Sequence, residues 1–384
     1  MTNGATSLHV AALPFPSPQG TQAAIRFMME ALERSGEHAE LLTYAHGEGT
    51  VSFPHHRAPA LVSDRSLRSG PSLAKIANDL GLAGALVSHP AKHIVAHHVE
   101  AAAIARFARR PWVFVAHTDL AAELPTYLAP QFISIARRAG ARVDRSLGRA
   151  AGALAAVSPL LASSLADRCE RPVHALPIPW PVPSATSEGE RTRARHALGL
   201  ADDVPTVLYA GNLDVYQGLD QLWRARAHLI AKRADLRMLV ATEDPRARAL
   251  DAGLIVLPLA TEANRRSAHA AADVVVVPRR SAGGLPVKLL DALSRGSTVV
   301  AVPRALAGHV IAPVICAARD DDYEALARAL DDALTCSTTR RSELATTARA
   351  YVAETHSDAR FTRALAAAHR EACHPPPAGA IDGV

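Results

Sequence analysis

The segment from Asp273 to Val302 reads DVVVVPRRSAGGLPVKLLDALSRGSTVVAV. An apolar run from Val274 to Val277 predicts a buried strand, Gly283 and Gly284 a turn, and the following residues a helix bearing Lys288 and Asp291. Bare backbone just ahead of a helix attracts anions, because the first N–H groups are unpaired and the dipole is positive there. Lys288 falls in the first turn and is one of only four lysines in a chain otherwise basic through arginine. The arrangement predicts a phosphate-binding turn. Asp291, one turn further on, either accepts two hydrogen bonds from a ribose diol or pairs with Arg295 at i+4. Upstream, TVLYAGNLDVYQGLDQL carries Gly211 and Asn212 at the end of a strand predicted over 206–209. Gly211 admits a phosphate to the main chain and Asn212 offers an amide donor. Arg279 and Arg280 add guanidinium groups, at least one of them as a solvent-facing neighbour. Together these residues predict a diphosphate lying across the strand ends of the second half.

A different chemistry gathers at strand ends of the first half. PFPSPQGTQ, from Pro14 to Gln22, follows the first predicted strand, and Gly20 and Thr21 lie at the entry to a helix. Ligands of open α/β sheets collect at such carboxyl ends. His46, His97, His98 and His117 each close or follow a predicted strand. Neutral imidazoles there can bind sugar hydroxyls or move protons. Glu100 and Glu123 are hydroxyl ligands, bases, or helix N-terminal charges. The histidines have no fixed ligand spacing, so no metal site is predicted.

The elements that must hold these residues alternate between strand and helix. Strands are predicted over 8–13, 39–44, 93–97, 112–116 and 153–157, and then over 206–209, 238–241, 255–258, 274–277 and 298–301. A loop is predicted over 48–71, and helices over 191–198, 323–334, 341–355 and 359–373. The pattern predicts two Rossmann-like, doubly wound parallel sheets. The proline cluster LPIPWPVPSATSEGE separates them, so domains are expected over 1–182 and 183–356, with a last helix over 357–373 and a disordered tail over 374–384.

Composition narrows the class. The 384 residues carry a net charge of +5 with no nucleic-acid recognition motif, so no nucleic-acid partner is expected. Four scattered cysteines, no signal-like start and no long apolar run predict a reduced cytoplasmic protein without a membrane span.

FPSPQGTQ, VFVAHTD, ALAAVSP, YAGNLDVYQGLD and GLPVKLLDALSRGSTVVAV, in that order, resemble the family-4 type of GT-B retaining glycosyltransferases. The resemblance runs to about residue 372. It implies an acceptor-side N-domain, a donor-side C-domain with a cleft between them, and a last helix crossing back to the first. It also implies a nucleotide-diphosphate-sugar donor, a sugar, glycan or lipid-linked acceptor, retained anomeric configuration, and neither metal nor other cofactor. His117 matches the family's N-domain histidine near the transferred sugar, Lys288 the phosphate lysine, and Asp291 the ribose carboxylate. Two positions depart. Gly283 stands where many members have an acidic residue, and Asn212 and Gln217 stand where many have arginine and lysine. A GT-B nucleotide-sugar epimerase and a non-catalytic sugar-nucleotide-binding scaffold remain the alternatives. Arg138, Arg142, Arg145 and Arg149 recur along one predicted helix face, either solvated or docked on anionic lipid at the inner face of the membrane.

Overall fold

The computed structural model describes residues 7–17, 19–47, 49–62, 73–280, 284–316, 319 and 321–374. Gly283, the expected tail beyond His374 and most of the second half of the predicted 48–71 loop lie outside the described residues. The chain forms two compact units, one of Met1–Pro179 with His356–Val384 and one of Trp180–Thr355.

In the first unit the order is β1 (Ser7–Ala11), α1 (Gly20–Arg34), β2 (Ala39–Thr43), β3 (His55–Arg57), α2 (Leu73–Ser88), β4 (His93–His97) and α3 (His98–Ala105). β5 (Trp112–Ala116), α4 (Leu120–Glu123), α5 (Ile133–Ala150), β6 (Ala153–Ala156), α6 (Pro159–Cys169) and β7 (His174–Ala175) follow. All seven strands are parallel in the order β3-β2-β1-β4-β5-β6-β7. β1 and β5 are buried along their whole length, as a parallel sheet covered on both faces requires.

The second unit runs α7 (Glu188–Ala197), β8 (Thr206–Ala210), α8 (Leu219–Ile230), β9 (Arg237–Ala241), β10 (Leu254–Leu257), α9 (Glu262–Ala271), β11 (Val274–Val277) and α10 (Val287–Ser294). It continues with β12 (Val299–Ala301), β13 (Val314–Cys316), α11 (Tyr323–Leu334) and α12 (Thr338–Thr355). Its parallel sheet is ordered β10-β9-β8-β11-β12-β13. The all-valine β11 is fully buried at its centre.

α13 (Asp358–Cys373) belongs to the first unit, where it packs on α1 and β5. Glu371 pins it, accepting from Arg171 at 2.6 Å and lying 2.6 Å from His174 Nε2. Three short strands were not expected. β3 lies within the predicted loop, and it and β7 and β13 are outer strands of two or three residues, too short to write an apolar run. Among the described residues no helix is long and apolar enough to cross a membrane.

Candidate functional site

Both sheets reverse their winding between two central strands, β1 beside β4 and β8 beside β11. A doubly wound sheet opens its ligand crevice at such a point. Helix capping differs at these places, though α5 also starts without a side-chain cap. α4, α6, α7, α9 and α11 start from Asp119, Ser158, Ser187, Thr261 and Asp322, whose side chains satisfy a first-turn N–H. α1, α3, α8 and α10, which follow β1, β4, β8 and β11, have no side-chain cap. The sequence puts Gln, His, Gly and Pro at those starts, leaving donors for a ligand.

In the second unit Gly211 ends β8 at φ +145°, a conformation reserved for glycine. A Cβ there would sit 2.7 Å from the Lys288 Nζ, so the bare backbone and the lysine share one space. Lys288, in the first turn of α10, donates to Gln217 Oε1 at 2.7 Å and Tyr209 Oη at 3.0 Å, and its Nζ lies 4.4 Å from the Tyr209 ring centroid. Burial pushes its pKa well down, and Arg279 adds to this. Gln217, noted in the sequence only as a missing cation, proves to hold Lys288 together with Tyr209.

Asn212 behaves differently from expectation. Its amide donates to Asp214 Oδ2 at 2.8 Å and to Tyr216 Oη at 3.0 Å, and its oxygen accepts from Gln217 at 2.6 Å. It therefore braces the loop rather than presenting its amide. Arg279 lies over Tyr216, 5.7 Å from the ring centroid, while Arg280 is drawn off to Asp220 and Asp321. Gly284 is buried just ahead of α10.

Asp291 realises the pairing alternative. Arg295 Nε donates to it at 2.9 Å and His269 Nε2 lies 3.5 Å away. Burial pushes its carboxyl up, but the hydrogen bond with His269 and the Arg295 charge hold it below the usual range. A carboxylate has further lone pairs, so the pairing does not exhaust its capacity for a diol. The neighbouring strand ends are also tied: Leu213 N donates to Asp244 at 3.2 Å, and Leu259 N and Ala260 N donate to Glu243 at 2.6 and 2.7 Å.

In the first unit the histidines come together more closely than their sequence positions indicate. His97 Nδ1 lies 2.9 Å from His117 Nε2, and His98, at φ +67°, stacks on His117 with centroids 4.7 Å apart. His9, in the middle of β1, was missed. Its Nδ1 lies 3.0 Å from His97 Nε2. The one available signal was a polar residue inside the apolar run LHVAAL. Burial drives the pKa of His9 down to about 3 and those of His97 and His117 well below the usual range, so all three rings are neutral.

The segment after His117 is fixed by charge. Arg168 bridges Asp119 and Asp144 at 2.8 Å each, and Asp144 accepts Ala121 N–H at 3.1 Å. Burial, with Asp119 alongside, pushes Asp144 up to about 6. Glu123 accepts from Thr118 at 2.5 Å and Tyr127 at 2.8 Å. Gly20 is the first residue of α1 and Thr21 the second. His46 makes other contacts: its ring is 3.2 Å from Val62 O, while its carbonyl accepts Phe15 N–H at 2.8 Å.

One group of ligand-type side chains meets among the described residues, Glu40, His56 and His89. Glu40 lies toward the amino end of β2, away from the carboxyl-end histidines. His89 Nδ1 accepts Ala91 N–H at 3.2 Å, so its Nε2 carries the proton and points it at Glu40, 3.2 Å away. A protonated nitrogen does not ligate, and the trio fits a metal poorly.

Residues 204–336 match the family model described as glycosyl transferases group 1. No curated protein matches the chain in sequence. Among solved structures, sucrose-phosphate synthase of Thermosynechococcus elongatus superposes with a TM-score of 0.76 at 16% identity, covering 95% of this chain and 98% of its own. HepE of Anabaena, in complex with UDP and glucose, gives 0.73 at 16% identity over 94% and 98%. WaaG, a glycosyltransferase involved in lipopolysaccharide biosynthesis, gives 0.71 at 18% over 94% and 99%. The chain has the GT-B fold. It resembles the family-4 type of GT-B glycosyltransferases, and the matched stretch contains the whole Gly211–Lys288–Asp291 site.

The basic face of α5 is shorter than its spacing suggests. Arg145 donates to Arg168 O at 2.8 Å, and Arg149 to Cys169 O at 3.2 Å and to Glu170. Both close the carbonyl end of α6. Arg138 and Arg142 stay exposed beside Phe132, Ile135 and Val143, which are 49%, 63% and 40% exposed.

Proposed function

We propose that the protein is a glycosyltransferase that moves a sugar from a nucleoside-diphosphate-sugar donor to a glycan, lipid-linked or small-molecule acceptor. The transfer retains the anomeric configuration and uses no metal. The observation that carries this reading is Lys288, a half-buried cation held only by neutral oxygens among the described residues, sharing its space with the bare Gly211 backbone at the β8–β11 reversal. Its depressed pKa marks a site where an anion is welcome. Two phosphates bring the charge that desolvation makes costly to leave unmatched.

As the glycosidic bond breaks, negative charge gathers on the departing diphosphate. Lys288, Arg279 and the uncapped amides of α10 and α8 are already in place to receive it, so little reorganisation is needed. Asp291 receives the ribose diol. His117 hydrogen-bonds the transferred sugar, and Gly20, Thr21, His97, His98 and Glu123 border the acceptor side. HepE's complex with UDP and glucose makes UDP-glucose the first donor to try. WaaG's place in lipopolysaccharide synthesis supports a lipid-linked acceptor. The exposed Phe132, Ile135 and Val143 with Arg138 and Arg142 suit shallow docking on anionic lipid.

A thermal-shift panel of UDP-, GDP- and dTDP-sugars, followed by nucleotide release with candidate acceptors, tests the activity. Stabilisation by one nucleotide series and acceptor-dependent release are expected. A folded protein that binds a donor yet releases nucleotide with no acceptor would instead be a scaffold. In the same preparation, vesicles containing phosphatidylglycerol should float the protein, and Arg138→Ala with Arg142→Ala should reduce this. Equal flotation of the variant removes the docking.

A further inference from the structure

His9, His97 and His117 form a ladder built by strand register. In the parallel pairing His9 lies opposite Val95 and His97 opposite Val115. Side chains alternate faces with period two, so His97 shares a face with Val95, and His117 follows the face of Val115. Each step moves one strand sideways and two residues toward the carboxyl end. The steps close at 3.0 Å from His9 Nδ1 to His97 Nε2 and at 2.9 Å from His97 Nδ1 to His117 Nε2.

A neutral imidazole has one N–H and one bare nitrogen. Both His97 nitrogens are engaged, so it must donate to one neighbour and accept from the other. The ladder can therefore point in only two directions. In one, His9 Nδ1–H donates to His97 and His97 Nδ1–H donates to His117 Nε2. In the other every proton sits on Nε2.

The outer end of the ladder decides between them. His9 is fully buried and its Nε2 has no hydrogen-bond partner among the described residues. The second direction would place an N–H there, and an orphaned buried N–H is rarer than an under-satisfied acceptor. His369, on α13, is near enough to act on His9 electrostatically, and its own Nε2 is likewise buried and unpartnered. A bare nitrogen at His9 is thus the less costly choice.

We infer that His9 and His97 are positioning residues that fix His117 as the Nδ1–H tautomer, which makes His117 a hydrogen-bond donor to its ligand rather than a base. Its use on a sugar hydroxyl rests on the proposed transferase activity; the tautomer itself does not. Depressed basicity of all three rings keeps the one-proton-per-ring count valid near neutral pH.

Two-bond 1H–15N correlation of the full chain labelled at histidine reads the tautomer directly. The expected result is a protonated Nδ1 and a bare Nε2 on His9, His97 and His117. A protonated Nε2 on His117, or a doubly protonated ring at pH 7, overturns the inference. His9→Phe removes the first donor and should leave His117 as a mixture of both tautomers. His9→Gln restores an amide donor and should restore the single form. His117 unchanged in His9→Phe would remove His9 from the role. None of these readings requires a donor sugar, so failure to find sugar transfer leaves the tautomer result standing, and the reverse also holds.

Discussion

β1 beside β4 and β8 beside β11 occupy the same place in the same winding, with uncapped helices on both sides, yet they are finished with opposite chemistry. In the first unit His9 of β1, His97 of β4 and His117 just past β5 form three linked neutral imidazoles. In the second, Lys288 of α10 stands among neutral oxygens beside the Gly211 backbone at the end of β8. Desolvation lowers the basicity of both sets, but to different ends. The histidines become fixed, uncharged donors and acceptors suited to hydroxyls. The lysine remains the natural partner of a charged group that the protein itself does not supply. One fold thus offers a polar, uncharged surface and an anion site without any change in topology.

The largest expected effect tests whether the imidazole ladder is kept neutral at a cost. His9 binds its proton near pH 6.5 when unfolded but only at about 3 in the fold. Below pH 6.5 the unfolded chain therefore binds more protons, and His9 removes stability as pH falls toward 3. At about 1.4 kcal/mol per pH unit the loss reaches about 3 kcal/mol by pH 4. His9→Phe abolishes this share, so the stability gap between wild type and variant should narrow by about that amount between pH 7 and 4. Parallel denaturation curves at the two pH values would mean that the ladder is not buried neutral, and the contrast between the units would fail.

Next in size is the lysine. Lys288→Ala should weaken nucleoside-diphosphate binding about ten- to a hundredfold, the worth of a charged hydrogen bond. Titration calorimetry with the diphosphate selected by the donor panel measures it. Unchanged affinity in a folded variant would move the anion site elsewhere and leave the second crevice as uncommitted as the first.

How far the sequence reveals this contrast depends on the kind of signal each residue leaves. The nine inner strands leave apolar runs, because both faces of a parallel sheet are covered; edge strand β10 leaves one too, and all ten expected positions lie within about two residues of those observed. β3, with the sequence HHR at one side of its sheet, leaves none. Lys288 stands out by rarity and by its glycine turn, whereas Gln217 does not, since holding a lysine is a property of contact and not of spacing. His9 has the same difficulty: a lone histidine in a strand reads as core until its register beside His97 is known. Arg145 and Arg149 show the converse. Their spacing with Arg138 and Arg142 is regular, but α6 ends close enough to claim two of the four guanidinium groups with its carbonyls.

The smallest expected effect concerns what Lys288 gives up when an anion binds. Tyr209 Oη accepts from Lys288 at 3.0 Å and donates to Asn212 O at 2.5 Å. Tyr209→Phe keeps the ring beneath the ammonium but removes the acceptor, and should cost about 1 kcal/mol of stability. The sign of its effect on nucleotide affinity separates two arrangements. If the phosphate replaces the phenol as the partner of Nζ, the variant starts without a bond that wild type must break, and affinity should rise a few-fold. If the phenol stays and orients Nζ toward the phosphate, affinity should fall by a similar factor. The lysine's second bond, to Gln217 at 2.7 Å, is shorter and comes from the buried side chain of the loop that Asn212 braces. The phenol is therefore the contact more readily exchanged, and a rise is the expected result. A fall would make the second crevice resemble the first: a cation held in one orientation by its neighbours, as the imidazoles are, rather than one released to its ligand.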